Sequence, residues 1–441
     1  MIGPGTTTAN SIRRLWCCVP SWALPFRSMT NPPSEAQITA EVEAFVDKCW
    51  DPEKTVRQWW KELADARLSN VTLPTDSGGR GWSPRLASVV NSAFISKRVV
   101  GSPGGLGMML AAPTIASHGN DDQKERLLPS ILDGSVAWCQ LFSEPGAGSD
   151  LAGLQCRAER DGDEWLISGQ KVWTSNGHES EWAILIARTD PDAPKHRGIS
   201  FFAFPMLQDG VEVRPLVEMT GRAMFNEVFI DNARVHNDNL IGALNDGWRV
   251  ANTTLAYERA GISGPGLGFG TASPGGVVGN LDRPIGEFVG QRASIAGGGV
   301  GRRVMRVLHE EATRRGIADD PTIRQELAQL HTLHRIVGYN MARAKKADHN
   351  VSGNLAKLLN TQMLHVARSL TGRILGPDSQ LVGDDSATGG LLQEALLFSP
   401  APSIYGGSDE IQRNVIGERG LGLPREPGPD RDTPFKELPK N

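Results

Sequence analysis

The chain has 441 residues, is 39% hydrophobic and 22% charged, and carries a formal net charge of −4, with a pI near 6.2. That length suffices for two or three structural layers around a sizeable buried core. The mild acidity, with Lys and Arg scattered along the chain, argues against nucleic acid as a partner, and no apolar run approaches the roughly 20 residues that span a bilayer.

Residues 1–33 open the chain. Arg13 and Arg14 precede the apolar Leu15–Val19, which Pro20 and Pro25 then interrupt. This is a poor signal peptide and reads as a disordered tail, or as translation from a start upstream of Met29. Residues 34–134 read as a helical domain. Glu41–Trp50 and Val56–Leu68 have apolar residues at helical spacing, and Asp121–Asp133 starts with acids and ends before Gly134. Residues 135–242 change to short segments rich in β-branched and aromatic residues: Val136–Ser143, Trp165–Ser168, Trp182–Ala187, Ile199–Pro205, Val211–Arg214 and Phe225–Ile230. Turn chemistry at Asp161–Asp163, Asn176-Gly177 and Asp209-Gly210 separates several of them. Residues 243–424 return to helix over Gly247–Ile262, Gly301–Arg315, Pro321–Ala347, Leu355–Leu375 and Asp409–Gly420. The glycine-rich stretch 265–299 reads as a mobile loop, 376–390 as a second soft stretch, and 425–441 as a disordered tail. Helices, then strands, then helices make an α+β arrangement, and no GxGxxG supports a Rossmann site.

The five cysteines, Cys17, Cys18, Cys49, Cys139 and Cys156, have no metal-ligand spacing. Their odd number argues against a disulfide framework and for a reducing, cytoplasmic setting. The histidines likewise point to no metal site.

Two segments carry chemistry. Phe142-Ser143-Glu144-Pro145-Gly146-Ala147-Gly148-Ser149-Asp150 is a glycine-rich turn after a strand, bearing hydroxyls. Its backbone N–H groups can approach a pyrophosphate unobstructed by Cβ atoms. In Gly169-Gln170-Lys171-Val172-Trp173-Thr174-Ser175-Asn176-Gly177, an aromatic lies two residues from a hydroxyl on one strand, so the two share a face. A flat redox ring needs such a pair, a surface to stack on and a donor for a ring nitrogen.

Together these segments resemble the flavin-binding β domain of acyl-CoA dehydrogenases. The resemblance runs from about residue 35 to 424 and includes Asp121–Gly134, Phe229–Gly242 and Tyr405–Arg413. It implies an N-terminal helical domain, a central β domain and a C-terminal four-helix bundle, with FAD as cofactor. It places Phe142 and Ser143 against the isoalloxazine, Ser149 near the FAD pyrophosphate or the CoA arm, Trp173 on the ring and Ser175 at flavin N5. Arg315 resembles the arginine that reaches a neighbouring subunit's FAD, with Arg314 as the alternative because the usual aromatic-glycine pair is missing after it. Ser408 to Glu410 would cap the C-terminal helix near the flavin, and Ser408 is an N-cap type residue in its own right.

One departure bears on the chemistry. Many members carry a catalytic carboxylate directly after the tyrosine of the C-terminal motif, and here that position is Gly406. Other branches, of isovaleryl and long-chain type, place the base on the helix after the β domain. Glu258, immediately before the family arginine Arg259, occupies that position, and desolvation beside an acyl chain would raise its pKa. The Gly406 N–H would still polarise the thioester carbonyl, and the glycine vacates volume for branched or bulky acyl groups. The resemblance thus implies α,β-dehydrogenation of an acyl-CoA, with Ser149, Arg259 and Gly406 on the substrate. It implies electron-transfer flavoprotein as acceptor and a homotetramer or a heterotetramer with a related subunit. The rivals are a base-less supporting subunit and a flavin oxidase on the same fold.

Overall fold

The computed structural model describes residues 33–263, 272–290, 302–344, 351–386, 388–425 and 432–439. The expectations for 1–32, for the ends of the glycine-rich stretch and for 426–431 lie outside the described residues. The fold is the expected α+β one.

The N-terminal region contains α1 (Glu35–Cys49), α2 (Val56–Asp65), α3 (Pro84–Ser96), α4 (Ala112–His118) and α5 (Asp121–Leu132). Three of these helices start at reciprocal capping boxes, Ser34 with Gln37, Thr55 with Gln58 and Asn120 with Gln123. Each satisfies two backbone donors that the first helical turn leaves free. Trp59 and Trp60 are fully buried. Their indole N–H groups donate to the Val100 and Gly101 carbonyls at 2.7 and 3.1 Å, so two large side chains fill the core without an unmet donor.

The central sheet contains β1 (Trp138–Leu141), β2 (Arg157–Asp161), β3 (Glu164–Ser175), β4 (Trp182–Arg188), β5 (Ile199–Pro205), β6 (Val211–Leu216) and β7 (Phe225–His236). Its order is β1-β4-β2-β3-β7-β6, with β5 antiparallel to β4. Alternate residues of β4 and β5 enter different cores. Ile184, Ile186, Phe201 and Ala203 pack with α4, α5 and the helix after the sheet, whereas Leu185, Ala187, Phe202 and Phe204 pack with Trp165, Ile167 and Val228. Both strands are therefore apolar almost throughout, as a strand covered on both faces must be.

After the sheet come α6 (Gly247–Ser263), α7 (Arg302–Arg314), α8 (Pro321–Ala344), α9 (Ser352–Leu375), α10 (Leu391–Phe398) and α11 (Asp409–Val415). Helices α7 to α10 share one core built on Leu308, Leu330, Leu364, Leu370 and Leu392. Helix α6 packs against β5 on one side and α9 on the other.

Two expectations of disorder are corrected. Within the stretch read as a mobile loop, residues 272–290 form a strap docked on the N-terminal helices. Ala272, Leu281, Ile285 and Phe288 are buried in the same core as Trp59 and Trp60. The strap is also stitched by Val56 N to Arg283 O (3.0 Å), Arg57 N to Leu281 O (2.9 Å) and Ile285 N to Lys54 O (2.7 Å). Glycine count misled here because four well-spaced apolar residues suffice to anchor a strap. Within the tail 425–441, residues 432–439 are docked on the β4–β5 connection, with Phe435 N donating to Ala193 O at 3.0 Å.

Phe288→Ala is expected to cost about 3–5 kcal/mol, the usual price of emptying a buried aromatic site, read as a lowered urea midpoint. A loss below about 1 kcal/mol would contradict a docked strap.

Candidate active site

The site begins with a buried ion pair. Lys171, on β3, is fully solvent-excluded and donates to Glu144 Oε1 at 2.9 Å and to the Phe142 carbonyl at 3.0 Å. Glu144 also accepts from the Gln155 and Cys156 amides at 2.7 and 2.9 Å. The glycine-rich turn is thereby closed at both ends and fixed to β3, assisted by Val172 N to Ser143 O at 2.9 Å. Glu144 is a structural carboxylate whose lone pairs are spent on the fold. Lys171 and Gln140 were not singled out from the sequence. A lysine among the strand residues of β3 was the available signal for the first, since a buried ammonium requires a partner.

Trp173 has φ 61°, and the β3–β7 register shifts between Lys171 and Thr174. The regular β3–β7 ladder is therefore interrupted at Trp173, and a bulge rather than a plain pleat sets the local directions. Trp173 is 61% exposed, Thr174 is buried and Ser175 half-buried. A tryptophan held at positive φ costs on the order of 1–3 kcal/mol, and Phe225, edge-on at 6.0 Å, is its aromatic neighbour. Such an indole offers an open face. The hydroxyls of Ser143 and Ser175 (half-buried) and Ser149 (exposed) make no hydrogen bond among the described residues. An open aromatic face, uncommitted hydroxyls and a rigid glycine turn suit a flat ring with a phosphate arm.

Phe142 is corrected as a ring contact. The residue is 4% exposed and its ring packs edge-to-face on Phe201 at 5.9 Å, so the ring is spent on the core. Arg315 directly follows α7. Its guanidinium is engaged within its own chain by Glu311 (2.7 Å), the Leu375 carbonyl (3.2 Å) and Asp378 (2.5 Å), which leaves it pinning α7 to the 376–380 turn. Arg314 shares Glu311 at 2.6 and 2.8 Å but is the more exposed of the two.

Glu258 lies on α6, half-buried, and Gln140 Nε2 of β1 donates to its Oε2 at 3.3 Å. The carboxylate thus reaches the strand that leads directly into the Ser143–Ser149 turn. Burial pushes its pKa above the ordinary value, outweighing the opposing influence of the Gln140 hydrogen bond and of the Arg259 charge. Arg259 is itself shifted down, chiefly by burial and against the pull of Glu258.

The C-terminal motif joins this region through α9. Gly353 packs near Arg259, where an added Cβ would lie 3.8 Å from the Arg259 Cβ. The next residue, Asn354, donates to Gln412 Oε1 at 2.5 Å, and Lys357 pairs with Asp409 at 2.8 Å. Gln412 Nε2 then donates to the Gly406 and Gly407 carbonyls at 2.7 and 3.3 Å. Gly406 and Gly407 have φ 62° and 79°, a conformation that glycine adopts without the Cβ penalty. Ser408 caps α11, accepting from Ile411 N at 3.3 Å. Glu410 is exposed, its pKa lowered first by the helix-start backbone amide and then by Ser408.

The comparisons with known proteins agree with this architecture. Family models described as the N-terminal, middle and C-terminal domains of acyl-CoA dehydrogenase match residues 34–135, 139–233 and 282–421. The chain is 38% identical to the acyl-CoA dehydrogenase IpdE1 of Mycobacterium tuberculosis, over 88% of this chain and 90% of that one. Among solved structures, the Tcur3481-Tcur3483 steroid ACAD superposes with TM-score 0.66 at 25% identity, covering 90% of this chain and 99% of that one. The ChsE4-ChsE5 complex from Mycobacterium tuberculosis shares the fold, with TM-score 0.65 at 23% identity, covering 91% and 100%. Among the described residues no helix is long and apolar enough to cross a membrane. The fold, the three matched domains and the extended identity make one statement: the chain belongs to the acyl-CoA dehydrogenase family and is an enzyme of that class.

Proposed function

We propose that the chain catalyses α,β-dehydrogenation of an acyl-CoA thioester carrying a bulky, ring-bearing acyl group, with Glu258 as the base. The observation that carries this reading is the half-buried Glu258 carboxylate held by Gln140 at the root of the glycine-rich turn. Members of this family depend on FAD, and the open Trp173 face with Ser143, Ser149 and Ser175 fits that cofactor. When bound, FAD supplies the acceptor for the hydride that leaves Cβ.

The chain's own residues do the rest. Glu258, with its charged form disfavoured by burial, takes the proton from Cα. Gln140 orients the carboxylate by holding one oxygen. The Gly406 N–H, which makes no hydrogen bond among the described residues, is offered to the thioester oxygen and acidifies Cα–H as an oxyanion donor does. Gln412 keeps that turn in place. Ser149 lies toward the pyrophosphate of FAD or CoA, and Arg259 supports the substrate side. The bulky acyl class is supported by glycine at 406, where no side chain occupies the slot, and by the likeness to a steroid ACAD. The likeness to a two-component complex supports assembly with a related subunit, and electron-transfer flavoprotein is the proposed acceptor.

Anaerobic mixing with a steroid-derived acyl-CoA is expected to bleach the flavin. In Glu258→Gln the bleaching rate should fall by about 10²–10⁴-fold, the usual contribution of a general base, and an unchanged rate would assign the proton to another group. Bleaching that needs an added partner chain would instead mark a supporting subunit. Unbranched medium-chain thioesters are expected to react at lower kcat/KM than ring-bearing ones, and the reverse order would remove the bulky-substrate reading.

The same carboxylate sets a stability prediction. Its pKa is higher folded than unfolded, so between the two values the folded state binds more protons and stability falls as pH rises. Glu258→Gln is therefore expected to raise Tm at neutral pH, with the gain vanishing below the ordinary value of 4.5. Equal melting of the two proteins at pH 7 would show that the carboxylate is not desolvated.

A further inference from the structure

The docked C-terminal segment reaches a buried arginine that the chemistry above does not use. Arg188 ends β4 and is 4% exposed. No carboxylate pairs with it among the described residues. Its Nη1 donates to Lys195 O at 2.7 Å, and its Nη2 to Ala152 O at 2.7 Å and Leu154 O at 3.4 Å. The ring of Phe435 lies over the guanidinium, 3.7 Å from the centroid. A cation stripped of water and held by carbonyl dipoles gains from an aromatic face, and burial lowers its pKa to about 10 against the pull of Glu144 and Asp190.

The segment carrying Phe435 is held by backbone as well as by charge. Phe435 N donates to Ala193 O and Lys436 N to Pro191 O, both at 3.0 Å. Lys436 pairs with Asp192 at 2.5 Å and Arg197 with Asp432 at 3.3 Å. These exposed pairs contribute little alone, so the ring and the two amide bonds carry the docking. The loop they clasp returns to the turn by a second route, because Lys195 pairs with Asp150. Asp150 directly follows Ser149, and Ala152 and Leu154 precede the amides that Glu144 binds. Everything between Ser149 and Cys156 is thus held between Glu144 on one side and the Arg188–Phe435 stack on the other.

We propose that residues 432–439 are a positioning clip, in which Phe435 caps Arg188 and thereby fixes the 149–156 segment that presents Ser149 to a pyrophosphate. The assignment of the pyrophosphate rests on the functional reading above, and the ligand chemistry is shared by FAD and coenzyme A.

The test compares full-length protein with Phe435→Ala, Phe435→Tyr and a chain ending at residue 431. Amide exchange across 149–156 is expected to quicken by about 30-fold in Phe435→Ala and in the shortened chain, the scale of one desolvated cation–π contact. Exchange across α1 to α3 should stay unchanged, and Phe435→Tyr, which keeps the ring, should behave as the parent. Titrating FAD into apoprotein and coenzyme A into holoprotein is expected to show affinity for one of them reduced by a similar factor. Where coenzyme A is the weakened ligand the steady-state signature is a raised KM with kcat retained, and where FAD is, it is lost activity restored by added FAD. Unchanged exchange across 149–156 would overturn the clip, and faster exchange with both affinities intact would overturn its positioning role. Ser149→Ala separates the two readings: if it leaves both affinities intact while Phe435→Ala weakens one, the clip stands and the Ser149 assignment falls.

Discussion

The buried Lys171–Glu144 pair is the constraint on which the site depends. A turn rich in glycine has little intrinsic reason to hold one conformation. Here its flanks are tied by a solvent-excluded ammonium and a carboxylate that also binds two consecutive amides. Breaking such a pair leaves an uncompensated buried charge, at about 3–5 kcal/mol. The turn is therefore rigid for reasons outside itself, and among the described residues the hydroxyls of Ser143 and Ser149 are left uncommitted. The same strand places Trp173 in a left-handed bulge, so strain and openness occur together where an aromatic face is needed.

Glu258 poses a conflict of a different kind. Water exclusion disfavours its charged form, while Gln140 and Arg259 favour it. Had Arg259 formed a close ion pair with it, the carboxylate would have been held too acidic to serve as a base. Neighbouring positions on a helix diverge by about 100°, so the arginine acts across space without closing that pair, and burial prevails. The position of α6, between β5 and α9, makes this possible, since it brings one residue within reach of both the sheet and the bundle.

The elements that follow simple periodicity were legible in the sequence. The amphipathic helices, the two-sided apolar strands β4 and β5 and the acidic start of α5 all declare themselves by spacing. The carboxylate at 258 was legible only beside the family pattern, because a Glu-Arg step on a helix is ordinary. What was not legible depends on contacts between distant parts of the chain. Phe142 occupies a motif position yet faces Phe201. Arg315 pairs with Glu311 and Asp378, partners that its sequence position does not disclose. Gln140 and Gln412 look like unremarkable polar residues until the partners across the fold are known. The strap 272–290 and the segment 432–439 resemble linkers in composition, since glycine, proline and charge dominate them. Both are held by a few buried side chains that no window average registers.

The proposed position of the base on α6 has a structural logic of its own. A carboxylate after Tyr405 would sit on a backbone at φ 62°, beside the turn that Gln412 holds through two carbonyls. With glycine there, the turn adopts that conformation at little cost. In the proposed mechanism the proton-abstracting group and the carbonyl-polarising group reside on different elements, α6 and the turn before α11, which are linked through Gly353, Asn354 and Lys357 of α9. On that proposal each can be tuned separately, burial raising the pKa of Glu258 and the glycine turn setting the room beside the proposed acyl chain. A chain with both functions on one residue could not widen its pocket without displacing its base, a coupling that the proposed arrangement removes.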